Sequence, residues 1–203
     1  MLLKNGQKIV FFGDSITEAD PGYVSYIKET LSNLHPEVSV EIINSGIGGN
    51  KVNDLLARVE HDVISLNPHW VSIAIGINDC WHGPNGNTPK DFEAGLAELI
   101  SLLKDKTSAS LVLCTPSVIG EDPDCEDNQK LGAYVEAVRR VASGAGVKLV
   151  DMHEVFLASL RKAREVTDKP LFTTDGVHLN IAGNTLYGTT WLKAMGAFDG
   201  LLP

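Results

Sequence analysis

Ile9-Val10-Phe11-Phe12-Gly13-Asp14-Ser15-Ile16-Thr17 runs apolar into a small-residue turn and delivers a serine at its end. Ile9 to Phe12 are β-branched or aromatic without alternation, the pattern of a parallel strand covered on both faces. Gly13 permits a sharp exit at the strand's carboxyl edge, and open α/β sheets bind their ligands at that edge. Taken alone, Ser15 has a plainer account as the cap of the following helix. The rest of the chain bears on that choice.

Outward from this stretch, strands and helices alternate. Gly22 to Leu34 has a helical apolar face of Tyr26, Ile27, Leu31 and Leu34 that closes before Pro36, and Val38 to Ile43 reads as the second strand. The run Asn44-Ser45-Gly46-Ile47-Gly48-Gly49-Asn50 follows, its glycines suited to a close backbone approach. Val52, Leu55, Leu56, Val59 and Val63 recur at helical spacing up to Asn67-Pro68, and Trp70 to Ile75 forms a third buried strand ending in Gly76-Ile77-Asn78-Asp79. Cys80 to Asn87 reads as a surface loop beside that strand end. Thr88 caps a helix with Pro89 at its first position and Asp91 three residues after the cap, and Phe92, Leu96, Leu99, Ile100 and Leu103 form its buried stripe. Ala109 to Thr115 is strand four. The loop from Pro116 to Asn128 carries Glu121, Asp122, Asp124, Glu126 and Asp127, a charge run read as a solvated face. Leu131 to Val141 is helical, Val147 to Val150 is strand five, Asp151 with Glu154 caps the next helix, and a last helix spans about Asn180 to Met195. The expectation is one domain over residues 1–203, a three-layer α/β/α flavodoxin-like fold whose five-stranded parallel sheet has the order 2-1-3-4-5.

Composition bounds the function. With 43% hydrophobic and 21% charged residues the chain is ordinary globular protein, and Lys+Arg 17 against Asp+Glu 26 gives a formal charge of -9. That balance disfavours nucleic acid or an anionic membrane as partner and favours a neutral substrate. Cys80, Cys114 and Cys125 lack metal or disulfide spacing, and no apolar run approaches a membrane span. The expected location is cytoplasmic.

Three separated segments ending at one sheet edge carry Ser15, Gly49 and Asn78, while Asp175 and His178 stand together in Thr174-Asp175-Gly176-Val177-His178. These are the parts of an acyl-transfer site. A serine hydroxyl attacks once a base takes its proton, and imidazole suits that task near neutrality, which assigns His178. A carboxylate holding the imidazole tautomer assigns Asp175. The oxyanion of the tetrahedral intermediate needs fixed donors: the N–H groups of Ser15 and Gly49 and the side-chain amide of Asn78.

The four blocks Gly13-Asp14-Ser15, Asn44 to Gly49, Gly76-Ile77-Asn78-Asp79 and Asp175-Gly176-Val177-His178, in this order, resemble the SGNH or GDSL hydrolases over nearly the whole chain. The resemblance implies serine ester hydrolysis without metal or other cofactor, with Ser15, Gly49, Asn78 and His178 as signature residues. It makes Asp14 and Asp79 supporting carboxylates, Asp14 organising the turn. Within the family, the stretches around Gly22-Tyr23-Val24 and Trp70-Val71-Ser72 look most like bacterial sugar-ester deacetylases such as acetylxylan esterases. The substrate so implied is a small acyl ester, an acetylated sugar. Asn50, Lys51, Trp81, His82, Asn85 and Asn87, in the loops after the blocks, offer an aromatic face and amide donors for a sugar ring. A thioesterase or lysophospholipase could use the same catalytic groups, and a non-catalytic carbohydrate-binding relative is a reading of a different class. A metal-dependent phosphoesterase would draw on Asp14, Asp79, Asp175 and His178. A flavodoxin-like cofactor-binding protein is disfavoured by Asp14, Glu18 and Asp20, which would repel a phosphate at the first loop. Phe198, Leu201 and Leu202 in the tail need a covering surface, either the chain's own body or a second copy in a homo-oligomer.

Overall fold

The computed structural model describes residues 1–167 and 169–200. Its centre is a parallel sheet of β1 (Lys8–Gly13), β2 (Glu41–Gly46), β3 (Trp70–Ala74), β4 (Ser110–Cys114) and β5 (Lys148–Val150), ordered β2-β1-β3-β4-β5. The helices are α1 (Ser15–Glu18), α2 (Tyr23–Leu34), α3 (Val52–Asp62), α4 (Ile77–Trp81), α5 (Pro89–Lys106), α6 (Glu126–Ala145), α7 (Met152–Arg164) and α8 (Ile181–Ala194). The alternating sequence pattern therefore yields the expected three layers. On one face of the sheet α8 packs against α2 and α7, and on the other α5 packs against α3 and α6.

β1 is fully covered because its neighbours in sequence point to opposite faces. Phe11 meets Tyr23 of α2 and Trp191 of α8, with ring centroids 5.9 and 5.0 Å away. Phe12 lies under the Arg58 guanidinium of α3, 4.4 Å from its centroid. Burying each such ring contributes about 1.5–3 kcal/mol. Phe156 joins the first of these faces, at 5.7 Å from Phe172 and 6.4 Å from Tyr187.

Two expectations are corrected. The second strand is not Val38 to Ile43 but Glu41–Gly46, because its register is set by pairing with β1, from Lys8↔Glu41 to Gly13↔Gly46. Long-range ladder bonds prevail over the local β propensity of Val38 and Val40. The chain also leaves β1 directly into the short helix α1, and Ser15, which the plainer account made a cap, is its first residue. The cap is Asp14, whose Oδ1 accepts the Ile16 N–H at 3.0 Å. In the tail, Phe198 is half-buried against the core, while Leu201 and Leu202 lie outside the described residues. No helix among the described residues is long and apolar enough to cross a membrane.

Candidate active site

The carboxyl edge of the sheet gathers the candidates. Ser15 stands at the first turn after β1, and the strand's fixed end with the Asp14 cap determines where its hydroxyl points. Ser15 Oγ lies 3.1 Å from His178 Nε2. On the other side of the imidazole, Nδ1 lies 2.6 Å from Asp175 Oδ2. The Asp-x-x-His turn is self-templating: Asp175 Oδ1 accepts the N–H groups of Val177 and His178 at 3.0 and 2.8 Å, which leaves Oδ2 for the imidazole. These donors, the imidazole first, pull the Asp175 carboxyl down to about 2. Hydroxyl, imidazole and carboxylate thus form a continuous line at an open surface, with the His178 and Asp175 side chains 46% and 50% exposed.

The other two residues expected to supply oxyanion donors, Gly49 and Asn78, lie in the β2–α3 turn and in α4. Gly49 has φ +76 with open space where a Cβ would stand, so a glycine is required there for conformation rather than for clearance. Its turn is tethered at both ends, by Ile47 N–H to Gly13 O at 3.1 Å and Asn50 N–H to Ile47 O at 3.3 Å. Asn78 lies in α4, not at a strand end, and is 5% exposed. Its Nδ2 donates to the Asn50 carbonyl at 3.0 Å, and the second amide hydrogen is left to point elsewhere.

The two supporting carboxylates are both buried and do different things. Burial pushes the Asp14 carboxyl up to about 7, against the pull of the Ile16 N–H. Burial also raises Asp79, whose Oδ1 accepts the Val52 N–H at the start of α3 and the Asn87 amide, at 3.2 and 2.6 Å. Asp79 Oδ2 has no partner among the described residues. Asp79 thereby joins α3 to the end of the Cys80–Asn87 segment, which Tyr134 also holds by donating its hydroxyl to the Asn87 carbonyl at 2.6 Å. Among the described residues no three His, Cys, Asp or Glu side chains form a group able to hold a metal ion, and Asp14, Asp79, Asp175 and His178 are not such a group.

The loop residues read as sugar contacts divide. The Asn50 amide oxygen accepts from Arg58 Nε at 2.7 Å, and Asn87 is bonded through its nitrogen to Asp79 and through its oxygen to Asn53, so these groups are engaged within the protein. Trp81, His82 and Asn85 are exposed. The Glu121 expectation is corrected: it is not a solvated charge. Its carboxylate accepts the N–H groups of Leu171, Phe172 and Thr173 at 2.5, 2.7 and 2.6 Å, and the Thr173 hydroxyl at 2.7 Å. These donors hold its carboxyl below the usual range although burial opposes them. Glu121 and Arg58 are anchoring residues that sequence reasoning missed: the bond from Arg58 to the Gly13 carbonyl spans 45 residues of chain and that from the Leu171 N–H to Glu121 spans 50.

A doubly wound parallel sheet with this line of groups at its carboxyl edge defines an α/β hydrolase-like protein. The GDSL-like Lipase/Acylhydrolase family model matches residues 11–186. An acetylxylan esterase of Geobacillus stearothermophilus is 31% identical, with 97% of each chain covered. The crystal structure of an acetylxylan esterase from that organism superposes with a TM-score of 0.87 at 30% identity, over 97% of each chain. An alpha/beta hydrolase enzyme from the metagenome of Lake Arreo gives 0.90 at 29% identity, over 98% of this chain and all of its own. The chain belongs to the GDSL-like lipase/acylhydrolase family, the SGNH hydrolases, and is a carboxylic ester hydrolase.

Proposed function

We propose that the chain removes O-acetyl groups from carbohydrates through an acyl-enzyme, with Ser15 as nucleophile. The line Ser15 Oγ–His178–Asp175, at 3.1 and 2.6 Å, is the observation that carries this reading. His178 Nε2 takes the Ser15 proton as Oγ attacks the acetyl carbon, and the carbonyl electron pair moves onto oxygen. The N–H groups of Ser15 and Gly49 and the Asn78 amide receive that oxyanion. Collapse expels the sugar alkoxide, which takes the proton from the His178 imidazolium. A water then repeats the cycle on the acetyl-serine and releases acetate, while Asp175 holds the imidazole orientation and its positive charge.

The sugar half of the reading is supported by the acetylxylan esterases to which the chain is similar. It is also supported by the open setting of the His178 and Asp175 side chains, which leaves room for a bulky alcohol, and by exposed Trp81. One sheet and one continuous core support a single catalytic domain over residues 1–203. Three free cysteines fit a reducing, cytoplasmic compartment. Self-association, expected from the apolar tail, loses Phe198, which packs against the chain's own core, and keeps only the support of Ile181, 88% exposed at the start of α8; light scattering that shows a monomer at all concentrations removes it.

The test is direct. Ser15→Ala abolishes ester turnover without loss of fold, a fluorophosphonate labels Ser15 alone, and acetyl esters are turned over faster than octanoyl esters, with acetate released from acetylated xylo-oligosaccharides. Faster octanoyl turnover without sugar deacetylation moves the assignment to a thioesterase or lysophospholipase.

A further inference from the structure

The three oxyanion donors come from three separate elements: Ser15 from the exit of β1, Gly49 from the β2–α3 turn, and Asn78 from α4. Stabilisation of an oxyanion depends on all three pointing at one place, and misplacement by about 1 Å can cost on the order of 10² in rate. One side chain touches the supports of all three. Arg58 of α3 donates from Nη2 to the Gly13 carbonyl at 2.9 Å, two residues before Ser15. Its Nη1 donates to the Ser45 carbonyl at 2.9 Å, at the start of the turn that carries Gly49, and its Nε to Asn50 Oδ1 at 2.7 Å, at that turn's end. The Asn50 carbonyl in turn accepts the Asn78 amide at 3.0 Å. The same Gly13 carbonyl receives the Ile47 N–H, so both ends of the glycine turn are referred to the strand that delivers the nucleophile.

The guanidinium is itself fixed. Asp62 one turn later accepts from Nη1 at 2.6 Å, and the Phe12 ring lies 4.4 Å beneath the guanidinium carbon. Its side chain is only 15% exposed. Partial burial costs less where the charge is paired with Asp62 and the remaining N–H groups find carbonyls. A planar fork with five donors can serve three oxygens in different directions at once, whereas an ammonium on a flexible stem cannot fix them relative to one another.

We propose that Arg58, acting through Asn50, is a positioning residue that sets the three oxyanion donors in register. The proposal rests on the oxyanion-hole assignment above. It acts on the transition state and not on the bound ester, so its loss is read in kcat and in affinity for a tetrahedral adduct, with KM little moved.

The test uses Arg58→Lys, which keeps the charge but loses the fork, and Asn50→Ala, which removes the Nε acceptor and keeps the main-chain carbonyl that Asn78 uses. Active sites are first counted by fluorophosphonate titration, so that misfolded protein does not count as slow enzyme. Per titrated site, kcat on an aryl acetate falls about 10–100-fold in Arg58→Lys and about tenfold in Asn50→Ala. KM stays within about threefold, and affinity for phenylboronic acid, which adds to the serine hydroxyl as a tetrahedral anion, falls by the same factor as kcat. Should Arg58→Lys fail to fold, Asn50→Ala decides. A lower melting temperature with unchanged kcat per site and unchanged boronate affinity makes Arg58 a structural residue only and overturns the proposal. Fluorophosphonate labelling away from Ser15, by contrast, overturns the underlying site assignment.

Discussion

Two aspartates illustrate how environment sets the state of a carboxyl group. Asp14 is buried and pushed up to about 7, so from about pH 4 to pH 7 the folded protein keeps a proton that the unfolded chain has released. Its contribution to stability is full below the usual aspartate range and is lost as pH rises through about 7. Asn at this position keeps the side-chain oxygen that caps α1 but has no charge to bury. Asp14→Asn therefore flattens the pH profile: between pH 5 and pH 8 the melting temperature of the native protein falls by at least about 4 °C more than that of the variant. Parallel profiles in the two proteins refute this account of Asp14. Asp175, held at about 2 by His178 and two N–H groups, has the opposite sign: its contribution is present above the usual range and is lost only as pH falls toward 2. Asp175→Asn forfeits that contribution at neutral pH, a modest loss because half of the side chain is exposed, and lowers kcat about 10⁴-fold, since an amide presents the imidazole with the wrong tautomer. Turnover within about tenfold of native reassigns the acid. The serine and the Asp-x-x-His pair, which the structure brings into one hydrogen-bonded line, were legible because each lies in a short local motif. The anchoring roles of Arg58 and Glu121 were not, because the partners that give them, Gly13 for Arg58 and Leu171 to Thr173 for Glu121, lie 45 or more residues away in sequence.

At the level of elements, the segment before the Asp175–His178 turn has no strand or helix among the described residues, and its own bonds, the isolated bridge Thr173↔Leu179 with Thr174 N–H to His178 O and Asn180 N–H to Phe172 O, tie it only to the turn that follows. Glu121 supplies what is missing. Its carboxylate takes three successive N–H groups from Leu171 to Thr173, and the Gly120 N–H donates to the Gly176 carbonyl at 2.7 Å. The β4–α6 loop is thereby a splint for the loop that carries the base. Charged acceptors make the stronger hydrogen bonds, about 1.5–3 kcal/mol each against about 1 for neutral ones. Glu121→Gln keeps the shape but loses the charge. It should lower kcat by about tenfold and speed hydrogen exchange of the amides from residue 171 to residue 178 more than elsewhere. Exchange protection unchanged across that segment refutes the splint. The sequence displayed Glu121 as one of five acids within seven residues, and composition cannot distinguish the one facing inward. The misplaced start of β2 has the same origin: strand limits follow pairing partners that are distant in sequence.

For the molecule as a whole, the alternation of apolar strands and amphipathic helices was enough to give the strand order, because right-handed crossovers leave few arrangements of five parallel strands. Charge is the other global property legible from composition, and it has a consequence for substrate choice. The chain carries a formal charge of -9, and a further carboxylate stands at the site itself. Glu18, exposed on α1, places Oε2 2.9 Å from the point where a Cβ on Gly48 would stand, and Ser15 Cβ is 3.8 Å from that same point. A negatively charged ester meets both the far field of the protein and this near charge, whereas a neutral acetylated sugar meets neither. At about 10 mM salt the screening length is near 30 Å and the whole surface contributes; at about 1 M it is near 3 Å and only contacts remain. The ratio of kcat/KM for the acetate of a neutral glycoside to that of the matching uronic acid should therefore be largest at low salt and fall several-fold on going to high salt. Most of the change comes from the anionic substrate speeding up. Glu18→Gln should reduce the ratio further at high salt, where the distant charges are screened and the adjacent one is not. Equal ratios at both salt concentrations would show that the net charge plays no part in selecting the ester.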